Sequence, residues 1–169
     1  MAEVRLRAIE KSDLAMIQRW RNSPNVMPYC RQYRPLSMKD MEIWYDGLSR
    51  DTSYNLTNDL FVIEYEGTPI GIGGLVRIDW RNRKGEVSFY IGDAEKCTTE
   101  IITECLLHLM AYAHQTLGLR KIYWPVYAFN PYLEIYEKLM PIEYVAHDEY
   151  YYNGNFYDRI VLASYGILG

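Results

Sequence analysis

Three strand-like runs followed directly by one long amphipathic pattern constrain the fold more than any other feature of this chain. The run "LFVIEYEGTPIGIGGLVRID" predicts two strands joined by a turn at Glu66-Gly67-Thr68, and "GEVSFYIG" predicts a third. Helical spacing then begins, with its apolar positions at Ile101, Ile102, Cys105, Leu106, Leu109, Ala113 and Leu117. Gly118 is expected to end this helix in the left-handed conformation.

The segments on either side complete an alternating α and β pattern. "VRLRAI" predicts a half-buried strand, and Ser12 and Asp13 offer cap oxygens for a first helix. Ser37 and Asp40 have capping-box spacing at the start of a second helix. "KIYWPVYAF" predicts a strand, "NPYLEIYEKLM" a short helix, and Asn153-Gly154 a closing hairpin. The order β-α-α-β-β-β-α-β-α-β-β predicts one α+β domain over residues 1–169, whose central mixed, mostly antiparallel twisted sheet carries helices on both faces.

Composition and charge exclude several classes of protein. Hydrophobic residues make up 49% of the 169 residues and charged residues 24%, as in ordinary globular domains. The formal net charge of −4 and the absence of a basic stripe argue against a nucleic-acid partner. The start "MAEVRLRAIEKSDL" lacks the apolar run of a signal peptide, and no segment has the length of a membrane span. We therefore expect a cytoplasmic protein with no membrane partner, as a monomer or homodimer.

Neither a disulfide framework nor a metal site is predicted. Cys30, Cys97 and Cys105 are irregularly spaced, and His108 and His114 face different directions on one helix. Cys97 precedes the long helix, where a lowered thiol pKa is expected.

The quoted motifs, taken in order, resemble those of the GCN5-related N-acetyltransferases (GNAT). "YIGD…TEIITECL…AYAHQTLGLRKIYWPVYAFNPYLEIYEKL" and the tail "DEYYYNGNFYDRIVLAS" are similar to the branch that includes ribosomal-protein N-terminal acetyltransferases, as are "RWRN" and "LSMKDMEIWYDGL". The resemblance implies direct transfer of an acetyl group from acetyl-coenzyme A to an amine. This chemistry needs donors for the pyrophosphate, a donor for the thioester oxyanion, a base for the amine and an acid for the thiolate.

The resemblance also implies roles for individual residues. Tyr136 matches the family's tyrosine acid, although a core aromatic at this position is the alternative. Asn130 matches the asparagine that contacts pantetheine, and it can also cap the short helix. Glu86 matches a carboxylate that draws the amine's proton in several relatives, whereas a lone strand glutamate is more often simply exposed. The backbone of Phe89, Tyr90 and Ile91 lies where the family strand splays and offers N–H groups to the coenzyme.

The loop before the long helix departs from the family. Relatives carry an Arg/Gln-x-x-Gly-x-Gly/Ala pattern there, but "DAEKCTTE" is shorter and contains no glycine. A helix start still presents backbone donors, so the N–H groups of Cys97, Thr98 and Thr99, together with the charge of Lys96, are expected to bind the pyrophosphate.

The acceptor is predicted from the segment after the first helix. The short loop, "RN-x-PN" and "G-x-x-x-x-Y" resemble the acetyltransferases of the pseudaminic-acid pathway, which act on a UDP-linked 4-amino sugar. A nucleotide sugar needs cations and aromatic faces, and the segment supplies Arg21, Tyr29, Arg31, Tyr33 and Arg34. The alternative for each residue is an exposed loop position.

Two other functions stay open. A protein N-terminus or another small amine would suit an acidic cleft, whereas a cleft edged by arginines favours a nucleotide sugar. A binding module that has lost the coenzyme is the alternative from another class, motivated by the missing loop glycines.

Overall fold

The computed structural model describes residues 3–48 and 56–167 and shows one seven-stranded sheet with helices on both faces. The strands and helices, in chain order, are β1 Val4–Ala8, α1 Leu14–Arg21, α2 Met38–Leu48, β2 Asp59–Tyr65, β3 Thr68–Asp79, β4 Lys84–Ile91, α3 Thr99–Ala111, β5 Lys121–Tyr127, α4 Leu133–Leu139, β6 Ile142–Tyr152 and β7 Asn155–Tyr165. This order confirms the predicted α+β fold.

The sheet is mixed and mostly antiparallel, as expected. Its strand order is β1-β2-β3-β4-β5-β7-β6, and the β4–β5 pair is parallel while the other neighbours run antiparallel. Tight turns fix the hairpins: Asn153 and Gly154 both have positive φ, at 46° and 84°, as does Glu66-Gly67 between β2 and β3. Positive φ at two successive residues is the type I′ geometry that keeps paired strands in register.

Each face of the sheet buries its own apolar cluster. Val62 and Ile72 point to one face and pack against Leu14, Ile17 and Met41 of α1 and α2. Successive residues of a strand point to opposite faces, so Ile63 joins the larger cluster on the other face, which contains α3 and α4. The predicted apolar positions of α3 from Ile101 to Leu109 are all part of this larger core.

The long helix ends differently from a simple α-helix. After Ala111 the chain continues as a π-helical turn over Tyr112–Thr116 before Gly118 takes the left-handed conformation at φ 67°. The predicted glycine stop is confirmed, whereas the π-helical turn was not foreseen.

Candidate active site

The sheet opens between β4 and β5, and this opening creates the candidate site. Within the described residues the two strands pair from Lys84 to Glu86 on β4, opposite Lys121 to Tyr123 on β5. Beyond Glu86, β4 continues to pair with β3 alone. Gly92 donates its N–H to the Ile70 carbonyl. The two-residue alternation of an antiparallel ladder therefore directs the backbone groups of Phe89 and Ile91 away from β3, into the opening. The same alternation turns the backbone of Tyr90 toward β3.

An inner cavity fills this opening on the side of α3 and α4. Its lining includes Phe89, Tyr90, Ile91, Cys97, Trp124, Asn130, Tyr132 and Tyr136. No charged side chain lines it in the described part of the chain. Most of the residues expected to bind the coenzyme therefore meet in one neutral space, although Lys96, Thr98 and Thr99 lie outside its lining.

Tyr136 is both a core aromatic and a cavity residue, so the two interpretations of this tyrosine are compatible. Its ring packs 4.3 Å from Trp124 and 6.3 Å from Phe89, centroid to centroid. Burial, followed by the neighbouring Tyr132, Cys97 and Cys30, raises the pKa of Tyr136 well above its usual range. The phenol is therefore neutral and protonated at physiological pH.

Asn130 caps the turn into α4, and a second tyrosine lies beside it. The Asn130 side-chain oxygen accepts a hydrogen bond from the Tyr132 N–H at 2.9 Å, which leaves the side-chain NH₂ without a partner among the described residues. Burial and the contact with Cys97 raise the pKa of Tyr132 to about 12. Tyr132 is thus a cavity phenol that the sequence interpretation missed. Cys97 was also misjudged, because burial raises its thiol pKa where a helix N-terminus had suggested a lowered one.

The donors at the start of α3 are not all those expected. The N–H groups of Cys97 and Thr98 donate to the carbonyls of Ala94 and Lys96, and the Thr98 hydroxyl accepts from the Ile101 N–H at 3.3 Å. The N–H groups of Thr99 and Glu100 have no hydrogen-bond partner among the described residues. The free N–H groups therefore lie one or two residues further along the chain than expected, because a short 3₁₀ turn over Ala94–Lys96 supplies the carbonyls that occupy the earlier ones.

An arginine cleft lies beside the inner cavity. Its lining includes Arg21, Tyr29, Arg31, Arg77, Glu86, Tyr127 and Tyr150. It shares Phe89, Tyr90 and Trp124 with the inner cavity, so the two spaces are adjacent.

Glu86 is the carboxylate of this cleft, and it is 4% exposed, so the interpretation as a simply exposed strand residue is wrong. Arg31 pairs with one carboxylate oxygen at 3.0 Å, and Arg77 pairs with the other. The side chains of the two arginines are themselves 51% and 63% exposed. A buried charge must be paired to be tolerated, and here the partners compensate it while presenting their outer faces to the cleft.

Arg77 was not predicted, and its position depends on an irregularity in β3. The β3–β4 register shifts between Val76 and Asp79, and Arg77 has a left-handed φ of 51°. Such a φ is uncommon for a residue other than glycine, and it recurs at functional sites. No sequence signal marks the bulge.

The remaining predicted acceptor residues divide between several places. Arg21 lines the cleft and donates to the Gln32 side chain at 3.1 Å, and Tyr29 lines both the cleft and the inner cavity. Tyr33 lies in a neighbouring cavity described below. Arg34 is a correction: its guanidinium makes two hydrogen bonds to Asp40, at 3.0 and 3.1 Å, at the start of α2. Asp40 also forms the capping box of α2 with Ser37, since each residue's side chain accepts from the other's N–H. The start of α2 therefore holds Arg34 outside the cleft.

Two general features concern the described residues as a whole. They contain no group of three or more histidine, cysteine or acidic side chains placed to hold a metal ion. No helix among them combines the length and apolar character that crossing a bilayer requires.

Comparison with known proteins assigns the family. Residues 3–139 match the Acetyltransferase (GNAT) domain, so the chain belongs to the GNAT acetyltransferase family. It is an N-acetyltransferase that uses acetyl-coenzyme A. This finding removes the motivation for a binding module without the coenzyme. No curated protein shows a significant sequence match.

Solved structures agree with the fold. The spermidine N-acetyltransferase of Vibrio cholerae in complex with CoA and spermine is 26% identical, with a TM-score of 0.84 over 96% of this chain and 95% of that one. A chimera of that enzyme with hSSAT is 23% identical, with a TM-score of 0.84 over 96% and 95% of the two chains. A dodecameric structure of the Vibrio cholerae enzyme is 24% identical, with a TM-score of 0.79 over 96% and 93%. These structures lend no support to the pseudaminic-acid branch.

Proposed function

We propose that this N-acetyltransferase uses Tyr136 as its acid and takes as its acceptor a primary amine that also carries an anionic group. Acetyl-coenzyme A supplies an activated thioester when it is bound. The inner cavity suits the thioester end of the coenzyme, since it is neutral, lies in the β4–β5 opening and is lined by Tyr136. The site residues below are assigned on that basis.

Backbone donors of β4 and α3 would hold the two polar ends of the coenzyme. The N–H groups of Phe89 and Ile91 face the opening, where a fixed donor stabilises negative charge that develops on a carbonyl oxygen. At the other end, the free N–H groups of Thr99 and Glu100 and the charge of Lys96 suit a pyrophosphate. A site built from free amides and one lysine needs no glycine, so the glycine-free loop is compatible with coenzyme binding.

Tyr136 is suited to give its proton to the departing thiolate. Its phenol stays protonated at neutral pH because burial disfavours the charged form. Asn130, with a free side-chain NH₂ in the same cavity, is suited to hold the pantetheine arm.

Glu86 is better suited to position arginines than to accept the amine's proton. Both of its oxygens already accept hydrogen bonds from guanidinium groups, and those partners define the acceptor cleft. Under this assignment the amine loses its proton to solvent in the open cleft. The carboxylate keeps Arg31 and Arg77 aimed outward from the sheet.

The excess of positive charge in the cleft lining is the observation that supports an anionic acceptor. Among the described residues, the cleft lining contains three arginines and one acidic residue, Glu86. Guanidinium groups bind phosphate and carboxylate with directional, charge-assisted hydrogen bonds. An amino-sugar nucleotide is one amine with this property, and a phosphorylated or carboxylated amine is another.

A matched pair of acceptors tests the proposal. Release of free thiol from acetyl-coenzyme A is measured with O-phosphoethanolamine and with ethanolamine, which share the amine and differ in the anionic group. We expect kcat/KM to be at least about tenfold higher for the phosphorylated amine, as one charge-assisted contact provides. Equal values would contradict the anionic acceptor and leave the enzyme class intact.

A polyamine is the second candidate, and it rests on one observation. The Vibrio cholerae enzyme that is 26% identical was solved with CoA and spermine. Spermidine belongs in the same thiol-release screen. Faster turnover with spermidine than with O-phosphoethanolamine would move the polyamine to first place.

Coenzyme binding has its own test, which does not depend on the acceptor. Acetyl-coenzyme A at about 100 times its dissociation constant should stabilise the fold by roughly 2.7 kcal/mol, measured as a rise in melting temperature. No shift at millimolar coenzyme would contradict the assignment of the inner cavity.

A further inference from the structure

A second cavity opens next to the arginine cleft, and the catalytic assignment above leaves it without a role. It lies between the loop after α1 and the tip of the β6–β7 hairpin, and its lining includes Met27, Tyr33, Tyr127, Tyr150, Tyr151 and Tyr152. We call it the tyrosine cavity. Its volume of about 540 Å³ falls within the range of small-molecule sites, roughly 300–1,000 Å³.

The tyrosines of this cavity form a supported wall with open ring faces. Tyr127 packs 4.0 Å from Tyr150 and stacks at 5.0 Å on Phe129, which in turn stacks on Tyr152 at 5.1 Å. Tyr151 is 67% exposed and Tyr33 is 93% exposed, so rings on two sides of the cavity reach solvent. A rigid aromatic wall with accessible rings on either side is suited to a planar ring.

Arg31 connects this cavity to the arginine cleft. It lines both spaces, together with Cys30, Tyr127 and Tyr150. Its guanidinium pairs with Glu86 at 3.0 Å on the cleft side. A molecule that occupied both spaces would lie beside this arginine, whose side chain is 51% exposed.

We propose that the tyrosine cavity binds a planar ring at the far end of the acceptor, with the anionic linking group at Arg31 and the amine in the arginine cleft. This inference rests on the proposed function, because it extends the anionic acceptor by one further group. The ring is a nucleobase or a simple aromatic ring joined to the amine-bearing part through a phosphate or carboxylate.

Three phosphate compounds test the ring without requiring catalysis. Binding of uridine 5′-monophosphate, phenyl phosphate and ribose 5-phosphate to the full chain is measured by isothermal titration calorimetry. We expect both ring compounds to bind about tenfold more tightly than ribose 5-phosphate, as stacking of one base on aromatic side chains provides. Tighter binding of the uridine compound than of phenyl phosphate would identify a nucleobase, and the reverse order a simple aromatic ring.

Two variants and a matched control locate the binding. Tyr151→Ala and Tyr33→Ala, on the hairpin and on the loop, should each weaken binding of the ring compounds by about tenfold and leave ribose 5-phosphate binding unchanged. Phe156→Ala removes an exposed ring that packs 5.5 Å from Tyr151 but does not line the cavity, and it should retain the affinity of the unmodified chain. Equal losses in Phe156→Ala and Tyr151→Ala would overturn the assignment, because the hairpin as a whole would then be responsible.

The thiol-release assay separates this inference from the proposed function. Equal binding of all three phosphates, with turnover of O-phosphoethanolamine intact, overturns the ring site alone. If the ring compounds bind more tightly but no amine is turned over, the ring is not part of an acceptor. The proposed function is then overturned as well.

Discussion

The inner cavity and the arginine cleft share Phe89, Tyr90 and Trp124, yet the cavity lining is entirely neutral among the described residues, whereas the cleft lining also contains three arginines and a glutamate. The neutral cavity keeps the phenol of Tyr136 protonated, since no cation in its lining stabilises a phenolate. The cleft instead holds a carboxylate between guanidinium groups that face solvent. Under the proposed function, acid chemistry and acceptor recognition occupy adjoining spaces with different electrostatic character, and substitutions on each side should affect different kinetic constants.

The largest effect is expected from Tyr136→Phe. Loss of the acid should lower kcat by about a hundredfold while the KM for acetyl-coenzyme A stays within a factor of about two. Steady-state thiol release measures both constants. Tyr132→Phe, at the other phenol of the inner cavity, should cost less than about tenfold. The reverse order of the two losses would transfer the acid role to Tyr132.

A smaller effect, in the arginine cleft, is expected from Arg77→Ala. Removal of one charge-assisted contact should raise the KM for O-phosphoethanolamine by about tenfold, with the KM for acetyl-coenzyme A unchanged. Ethanolamine serves as the control acceptor, because it has no anionic group to lose. An equal change for both acceptors would mean that Arg77 supports the fold of the bulge rather than the anion.

The pH profile tests the neutral character of the inner cavity. A raised pKa means that Tyr136 keeps its proton as pH rises through the ordinary tyrosine range, so the acid form is not lost there. We expect no fall in kcat at saturating acceptor between about pH 8 and about pH 10. A fall with its midpoint in that interval, present in the unmodified chain and absent from Tyr136→Phe, would contradict this assignment.

The smallest effect is expected from Arg34→Ala. Its side chain is bound to Asp40 at the surface, so the KM for either substrate should change by less than about twofold. Arg31→Ala is the informative companion, because Arg31 and Arg34 lie close together in sequence but in different surroundings. An equal rise in the acceptor KM in both variants would place Arg34 in the cleft and contradict its assignment to the start of α2.

Sequence reasoning was most successful where local patterns decide structure. The apolar positions of α3, the capping pair Ser37 and Asp40 and the turn at Asn153-Gly154 each have a short-range cause, and each is found as expected. Asn130 was expected to cap α4 itself, whereas its side chain accepts from the Tyr132 N–H, ahead of the first helical residue Leu133. The resemblance added Tyr136, which the structure places at the inner cavity.

The same reasoning failed where two distant segments meet. Glu86 was expected to be either the carboxylate that draws the amine's proton or an exposed strand residue, because nothing near it in sequence indicates that Arg31 and Arg77 compensate its charge. The free donors at the start of α3 were misplaced for a related reason, since the hydrogen bonds that occupy Cys97 and Thr98 depend on how the loop folds.

The sequence by itself determined the order of strands and helices and the hairpin turns, because periodicity, capping and turn geometry act over a few residues. Only the tertiary structure decided the arginine cleft. A bulge in β3 and a loop after α1 bring Arg77 and Arg31 to one buried carboxylate. The balance of charge in a cleft is a property of the assembled surfaces, and no single segment carries it.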